Sequence, residues 1–225
     1  DPNEKNVKLK EAIEKVRAID PGDPLLRLTR GAPTLVAGST WPLDEERLLA
    51  AFKKVRESHP DARLVLVPHE PTPAHLAQLD AAAGRCGLDV PTRESAGAAA
   101  SPLIVVDRVG VLATIYSGAL AAYVGGGFGR AGLHSVVEPA SCGLPVFFGP
   151  NWRNSRDAGL LIAAGAAWDT SGGLSGRWGE LLAHPDRARA AGARGHDTIE
   201  AGLGAAARSA GLVERLMQPG TATVR

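Results

Sequence analysis

Between Ala121 and Pro150 the chain reads AAYVGGGFGRAGLHSVVEPASCGLPVFFGP, and few folds accommodate such a stretch. Ala121 to Val124 is a short apolar run, followed by Gly125, Gly126, Gly127, Gly129 and Gly132. These glycines leave a backbone free to take φ > 0 and to approach another segment or a ligand closely. Ser135 to Cys142 has the composition of a short helix, Gly143 ends it, and Pro145 to Gly149 is a second apolar run. Strand, glycine loop, helix and strand in that order is how open α/β sheets hold an anion. The N–H groups at a helix N-terminus lack partners, and the helix dipole favours negative charge there. Glycines needed only for tight turns are the plainer alternative.

The rest of the chain alternates in the same way. Short apolar strands are expected at Thr34 to Ala37, Arg63 to Val67, Val90 to Arg93, Pro102 to Val106 and Ala166 to Trp168. Between and after them, helices are expected from Pro42 (with Leu48, Leu49, Phe52 and Val55 as the apolar stripe), over His75 to Cys86, Val111 to Leu120 and Asn154 to Ala164, from Trp178, and over Arg187 to Met217. Four- and five-residue apolar strands between helices predict an α/β domain: a single doubly wound, Rossmann-like parallel sheet with helices on both faces. Residues 20–218 form that domain, and residues 219–225 read as a frayed tail. Residues 1–19 stand apart. Four of the six lysines of the chain fall there, and Leu9, Ile13 and Val16 mark an amphipathic helix, either a linker or a segment added for expression. Asp20-Pro21-Gly22-Asp23-Pro24 breaks it.

In sheets of this kind ligands bind beyond the carboxyl ends of the strands. The loops at that edge are Gly38-Ser39-Thr40, Pro68-His69-Glu70, Asp107 to Gly110, Gly125 to Ser135 and Gly149-Pro150-Asn151. The glycine run is not a dinucleotide fingerprint, since it follows the fifth strand rather than the first, and no GxxxxGK[ST] loop occurs. His134 and Glu138 are spaced to share one face of a helix, as a site or as a packing pair, and Pro139 implies a bend in it. His69 and Glu70 sit between two prolines that restrict the backbone, as ligand contacts or as a surface turn. Arg130, Arg153 and Arg156 offer charge for a phosphate, or are simply solvated.

Several classes drop out. With 25 basic against 24 acidic residues the chain offers no polyanion surface, so no nucleic-acid partner is expected. Cys86 and Cys142 have no metal-ligand spacing, no catalytic triad is apparent, and no apolar run approaches the roughly 20 residues that span a bilayer. No metal, no membrane insertion and no signal peptide are expected.

Asp107-Arg108-Val109-Gly110-Val111-Leu112, Tyr116 and YVGGGFGRAGLHSVVEPASCGLPVFFGPNWRN together resemble the C-terminal half of 3-deoxy-D-manno-octulosonic acid (Kdo) transferases. AGST at Ala37 to Thr40 and VPHEP at Val67 to Pro71 resemble the first two strand ends of that half. These are GT-B glycosyltransferases of lipopolysaccharide assembly, which move Kdo from CMP-Kdo onto lipid A precursors. The resemblance implies one half of a GT-B fold with a donor site for CMP-Kdo. Pro68 and His69 would lie at the nucleotide, Val109, Gly110, Val111 and Leu112 beside it, Gly127 in the loop, and His134, Ser135, Val136, Val137 and Glu138 around the ribose and phosphate. Ser135 stands where much of the family has asparagine, and His69 where much of it has arginine. The resemblance further implies no cofactor beyond the donor and no catalytic base in this chain. The acceptor, the lipid A precursor, would sit on an N-terminal domain outside this chain, at the cytoplasmic face of the inner membrane. The alternatives are a Rossmann-like structural or engineered module without nucleotide, or another GT-B-like enzyme that uses a UDP-sugar.

Overall fold

The computed structural model describes residues 2–94, 100–129 and 132–217. Seven strands form one sheet: β1 (Thr34–Thr40), β2 (Arg63–Pro68), β3 (Thr92–Arg93), β4 (Leu103–Val105), β5 (Ala121–Val124), β6 (Val146–Phe148) and β7 (Ala167–Asp169). Every pairing is parallel, and the order is β3-β4-β2-β1-β5-β6-β7. All seven expected strands are present, several shorter than their apolar runs. The chain starts at β1, winds outward through β2, and returns to the other side of β1 as β5. The strand order therefore reverses between β1 and β5, and a crevice opens beyond their carboxyl ends.

Side chains alternate between the two faces of the sheet, as the pleat requires. Leu35, Ala37, Leu64, Leu66, Leu103, Val105, Tyr123 and Phe147 face one way. They pack with α2 (Pro42–Ser58), α3 (Pro73–Arg85) and α7 (Leu174–Ala183). Val36, Val65, Val67, Ile104 and Ala122 face the other way, against a short 3-10 helix at Pro24–Leu28 and α4 (Leu112–Tyr116). On the same side Val124, Val146 and Phe148 meet α5 (Val137–Ser141) and α6 (Arg156–Ala163). The last helix, α8 (Pro185–Met217), reaches both clusters through Ala188 and Ile199. The sequence pattern left Leu25 to Gly31 without an element. The 3-10 helix forms there because Asp23 accepts from the Leu25 amide while Leu25, Leu26 and Leu28 are buried.

The opening helix, α1 (Pro2–Arg17), belongs to this second face. Ile13 is buried with Val136, Val137, Ala140 and Ile199, Lys15 meets Glu138, and Arg17 meets Glu200. The side chains of Leu9, Leu212, Val213 and Leu216 lie outside the described residues, as do Arg130 and the expected frayed tail at 219–225. No helix among the described residues is long and apolar enough to cross a membrane.

Phe52 on α2 is buried and stacked on Trp178 of α7, with ring centroids 5.8 Å apart and planes 17° from parallel. This contact ties the two helices over the centre of the first face. Phe52→Ala should therefore cost about 3–5 kcal/mol, read as a lower urea midpoint with an unchanged slope.

Candidate functional site

The crevice is built by two loops that touch through their backbones. At the end of β1 the pairing with β2 shifts register between Gly38 and Thr40, and Ser39 takes φ +52°, the left-handed region that a residue with a Cβ rarely adopts. This kink brings the Ser39 carbonyl against Gly125, where an added Cβ would collide with it. Gly127 lies as closely on Gly149, and its carbonyl accepts from the Asn151 amide at 2.9 Å. Gly125 and Gly127 are thus required by chain crossing rather than by a ligand. The amides of Gly125 and Gly129 donate to the carbonyls of Gly38 and Gly126.

The remaining anchor is a carboxylate. Asp44, in the first turn of α2, is 1% exposed. Its Oδ1 accepts from the Tyr123 hydroxyl at 2.7 Å. Its Oδ2 accepts from the Gly126 amide at 2.9 Å and from the Trp41 amide at 3.0 Å. Burial, and then the carboxylate beside it, hold the Tyr123 phenol protonated far above its ordinary range, so Tyr123 is the donor in this pair. Next to it Glu45 accepts from Thr40 Oγ1 at 2.8 Å and meets His75 Nε2 at 3.0 Å. Burial raises the Glu45 carboxyl above its usual range, against the opposing pull of His75 and Thr40.

Three rings gather at the crevice mouth. Trp41 follows β1, His69 follows β2, and His134 follows the glycine loop. The His69 and His134 centroids are 4.4 Å apart and those of Trp41 and His69 are 4.9 Å apart. The Trp41 indole donates from Nε1 to His134 Nε2 at 3.1 Å, and the His134 amide donates to the Gly125 carbonyl at 3.1 Å. Burial first, and His69 second, lower the His134 pKa, while Asp44 pulls it up.

Two expectations need correction here. The helix expected over Ser135 to Cys142 is the five-residue α5, and His134 lies before it in chain without regular secondary structure. His134 and Glu138 therefore do not share a helix face; His134 joins the rings, whereas Glu138 Oε1 takes Lys15 Nζ at 2.8 Å from α1. Nor does Pro139 imply a bend. It falls in the first turn of α5, where a missing N–H has no intrahelical acceptor to lose. Burial, and then Glu138, push the Cys142 thiol up to about 12.

The other anticipated residues are distributed around this centre. Pro68 is buried at the end of β2, paired with Thr40. Val109 is 70% exposed on the loop after β4, and Gly110 takes φ +86°. Val111 precedes α4, and Leu112 opens it and packs with Tyr116 onto Gly38, where a Cβ would meet both side chains. Ser135 is exposed, and its Oγ accepts from the Val137 amide at 3.3 Å. Val136 and Val137 are buried in the core with Ile13, Ala140 and Ile199. Arg108 binds the buried Glu94, and Arg153 lies over the Trp152 ring. Trp41 and Asp44 were not anticipated from sequence. The available signal was their place, directly after the strand at which the order reverses. Among the described residues no group of three or more His, Cys, Asp or Glu side chains is placed to hold a metal ion.

Comparison with known proteins bears out the resemblance. No protein-family model matches the chain. The chain is 33% identical over 123 residues to the 3-deoxy-D-manno-octulosonic acid transferase of Aquifex aeolicus, covering 55% of this chain and 33% of that one. It is 32% identical over 173 residues to the enzyme of the same name from Bordetella pertussis, covering 71% and 39%. The chain thus spans about a third of the length of the curated relatives it matches. Among solved structures, the C-terminal CMP-Kdo binding domain of WaaA from Acinetobacter baumannii superposes with a TM-score of 0.66 at 20% identity, covering 84% of this chain and 98% of that one. That likeness shows the fold alone, a single doubly wound parallel α/β sheet.

The Asp44 anchor predicts a graded response. In Asp44→Asn the amide oxygen can keep both N–H donors while Tyr123 turns its hydroxyl to accept, so the loss should stay within about 1 kcal/mol. Asp44→Ala strands three donors and should cost about 3 kcal/mol in urea denaturation. The Gly126 amide should then exchange with deuterium faster than its neighbours in β5.

Proposed function

We propose that this chain is the donor-binding part of a glycosyltransferase that transfers Kdo from CMP-Kdo. The observation that carries the reading is where the family-like segment falls. His134 to Glu138, within the stretch that resembles Kdo transferases, lies beside the crevice where the strand order reverses, with the rings of Trp41 and His69 across from it. The curated relatives carry the name of that activity, and the solved structure described above is named a CMP-Kdo binding domain.

In this reading Glu138 accepts hydrogen bonds from the ribose hydroxyls, as a carboxylate suits a diol. Lys15 occupies Oε1, which leaves Oε2 for the sugar. His69 and His134 border the nucleotide phosphate, and Gly110 to Leu112 close the side toward α4. The transfer is a direct displacement with inversion: the acceptor oxygen bonds to the anomeric carbon while the bond from that carbon to the phosphate oxygen breaks, and CMP leaves with the electron pair. The proton of the acceptor hydroxyl goes to a base on the acceptor-binding side. The part of this chain is to stabilise the departing phosphate. A lipid A precursor as acceptor and a location at the cytoplasmic membrane face belong to the same proposal, as does a donor site that works without a metal.

The 225-residue chain should bind CMP in preference to UMP by isothermal titration calorimetry, without transferring Kdo by itself. Glu138→Ala should weaken CMP binding about tenfold or more. Because the Lys15–Glu138 pair is part-exposed (48% and 25%), the melting curve should move by less than about 1 kcal/mol in stability. Absence of CMP binding at millimolar concentration, or a Glu138→Ala variant that binds as the parent does, would overturn the reading.

A further inference from the structure

We propose that Trp41 is a positioning residue that locks His134 as the neutral imidazole protonated on Nδ1, so that the ring brings one hydrogen-bond donor, and no charge, to a phosphate in the crevice. The ligand part of this proposal rests on the donor-site reading above. The lock itself rests on geometry alone.

An indole N–H can only donate. Since Trp41 Nε1 lies 3.1 Å from His134 Nε2, that nitrogen must accept and so carries no proton. A neutral imidazole holds its proton on the other nitrogen, here Nδ1. Both rings are fixed. Trp41 is held by its amide on Asp44 Oδ2 at 3.0 Å and by a tilted ring contact with His69, and His134 by its amide on the Gly125 carbonyl and by its own tilted contact with His69. The titratable groups that face His134 are His69, from the end of β2, and Asp44, from the start of α2. Protonating His134 would remove the acceptor from Trp41 and set a cation against a second imidazole 4.4 Å away. Asp44 opposes this, but its pull is smaller than the effects of burial and of His69.

The consequence is a choice of chemistry. Imidazolium would bind a phosphate as a cation, and binding would follow its titration. A locked neutral ring binds through a dipole and is indifferent to pH across the range where histidine normally titrates. The folded-state pKa of His134 is depressed, so the neutral ring persists to lower pH than that of an ordinary histidine.

The test is long-range ¹H–¹⁵N spectroscopy on the full chain, with His134→Gln used to assign the ring among the six histidines. The wild-type spectrum should show Nδ1 protonated and Nε2 bare at about pH 7, with titration below the usual histidine midpoint of about 6.5. Trp41→Phe keeps an aromatic ring and removes the N–H. It should raise the His134 midpoint and shift the tautomer toward Nε2–H. The ratio of CMP affinity in Trp41→Phe to that in the wild type should then rise several-fold from about pH 8 to about pH 6; titration of the ligand cancels in that ratio. A wild-type ring protonated on Nε2, or a titration unchanged in Trp41→Phe, overturns the lock, and the first of these is decided even if the variant does not fold. A locked tautomer in a chain that binds no CMP supports the lock and overturns the donor-site reading instead.

Discussion

A buried carboxylate is an expensive group, and Asp44 is tolerated because three donors converge on it. What they join is informative. Tyr123 belongs to β5, Gly126 to the glycine loop and Trp41 to the end of β1, so one side chain ties together the two strands between which the order reverses. The kink at Ser39 and the bare Cα of Gly125 let the two loops approach, and Asp44 fixes the distance at which they stop. Trp41, His69 and His134 can then meet as rings because their three backbones are already held.

This changes the meaning of the glycines. A glycine run after a strand suggests amides waiting for phosphate, yet Gly125, Gly126 and Gly129 donate to protein acceptors, and Gly125 and Gly127 make room for main chain. The loop is a piece of architecture that presents what flanks it. Recognition passes to side chains at its rim, above all His134, and to Glu138 in the turn that follows.

The fold was legible because buried parallel strands and amphipathic helices each leave a pattern within a few residues, and RLVLV or PLIVV has few other uses. The short helices were placed less well. In α4 and α5 the ends are set by tertiary contacts, Leu112 and Tyr116 on Gly38 in one and Val136 and Val137 in the core in the other, which no local propensity records. The site was half legible. Its loops followed from the sheet rule, and Glu138 and His134 from their motif. Their separation did not, because helical spacing was assumed for a segment of which only residues 137–141 are helical. Trp41 and Asp44 escaped because a tryptophan beside a proline and an acid in a first turn are ordinary capping features until the crossing of β1 and β5 makes them neighbours of residue 126.

The pairing of Lys15 with Glu138, and of Arg17 with Glu200, also has a consequence in time. The partners stand 123 and 183 positions apart in the chain. Synthesised ahead of its partners, α1 therefore has nowhere to dock until α5 and the middle of α8 have been made, and Ile13 waits with it for Ile199. Closing so long a loop is entropically slow, so α1 is a late arrival on a sheet already formed. The carboxylate at Glu138 gains its partner in the same late step, so that corner of the crevice is complete only once α1 has docked.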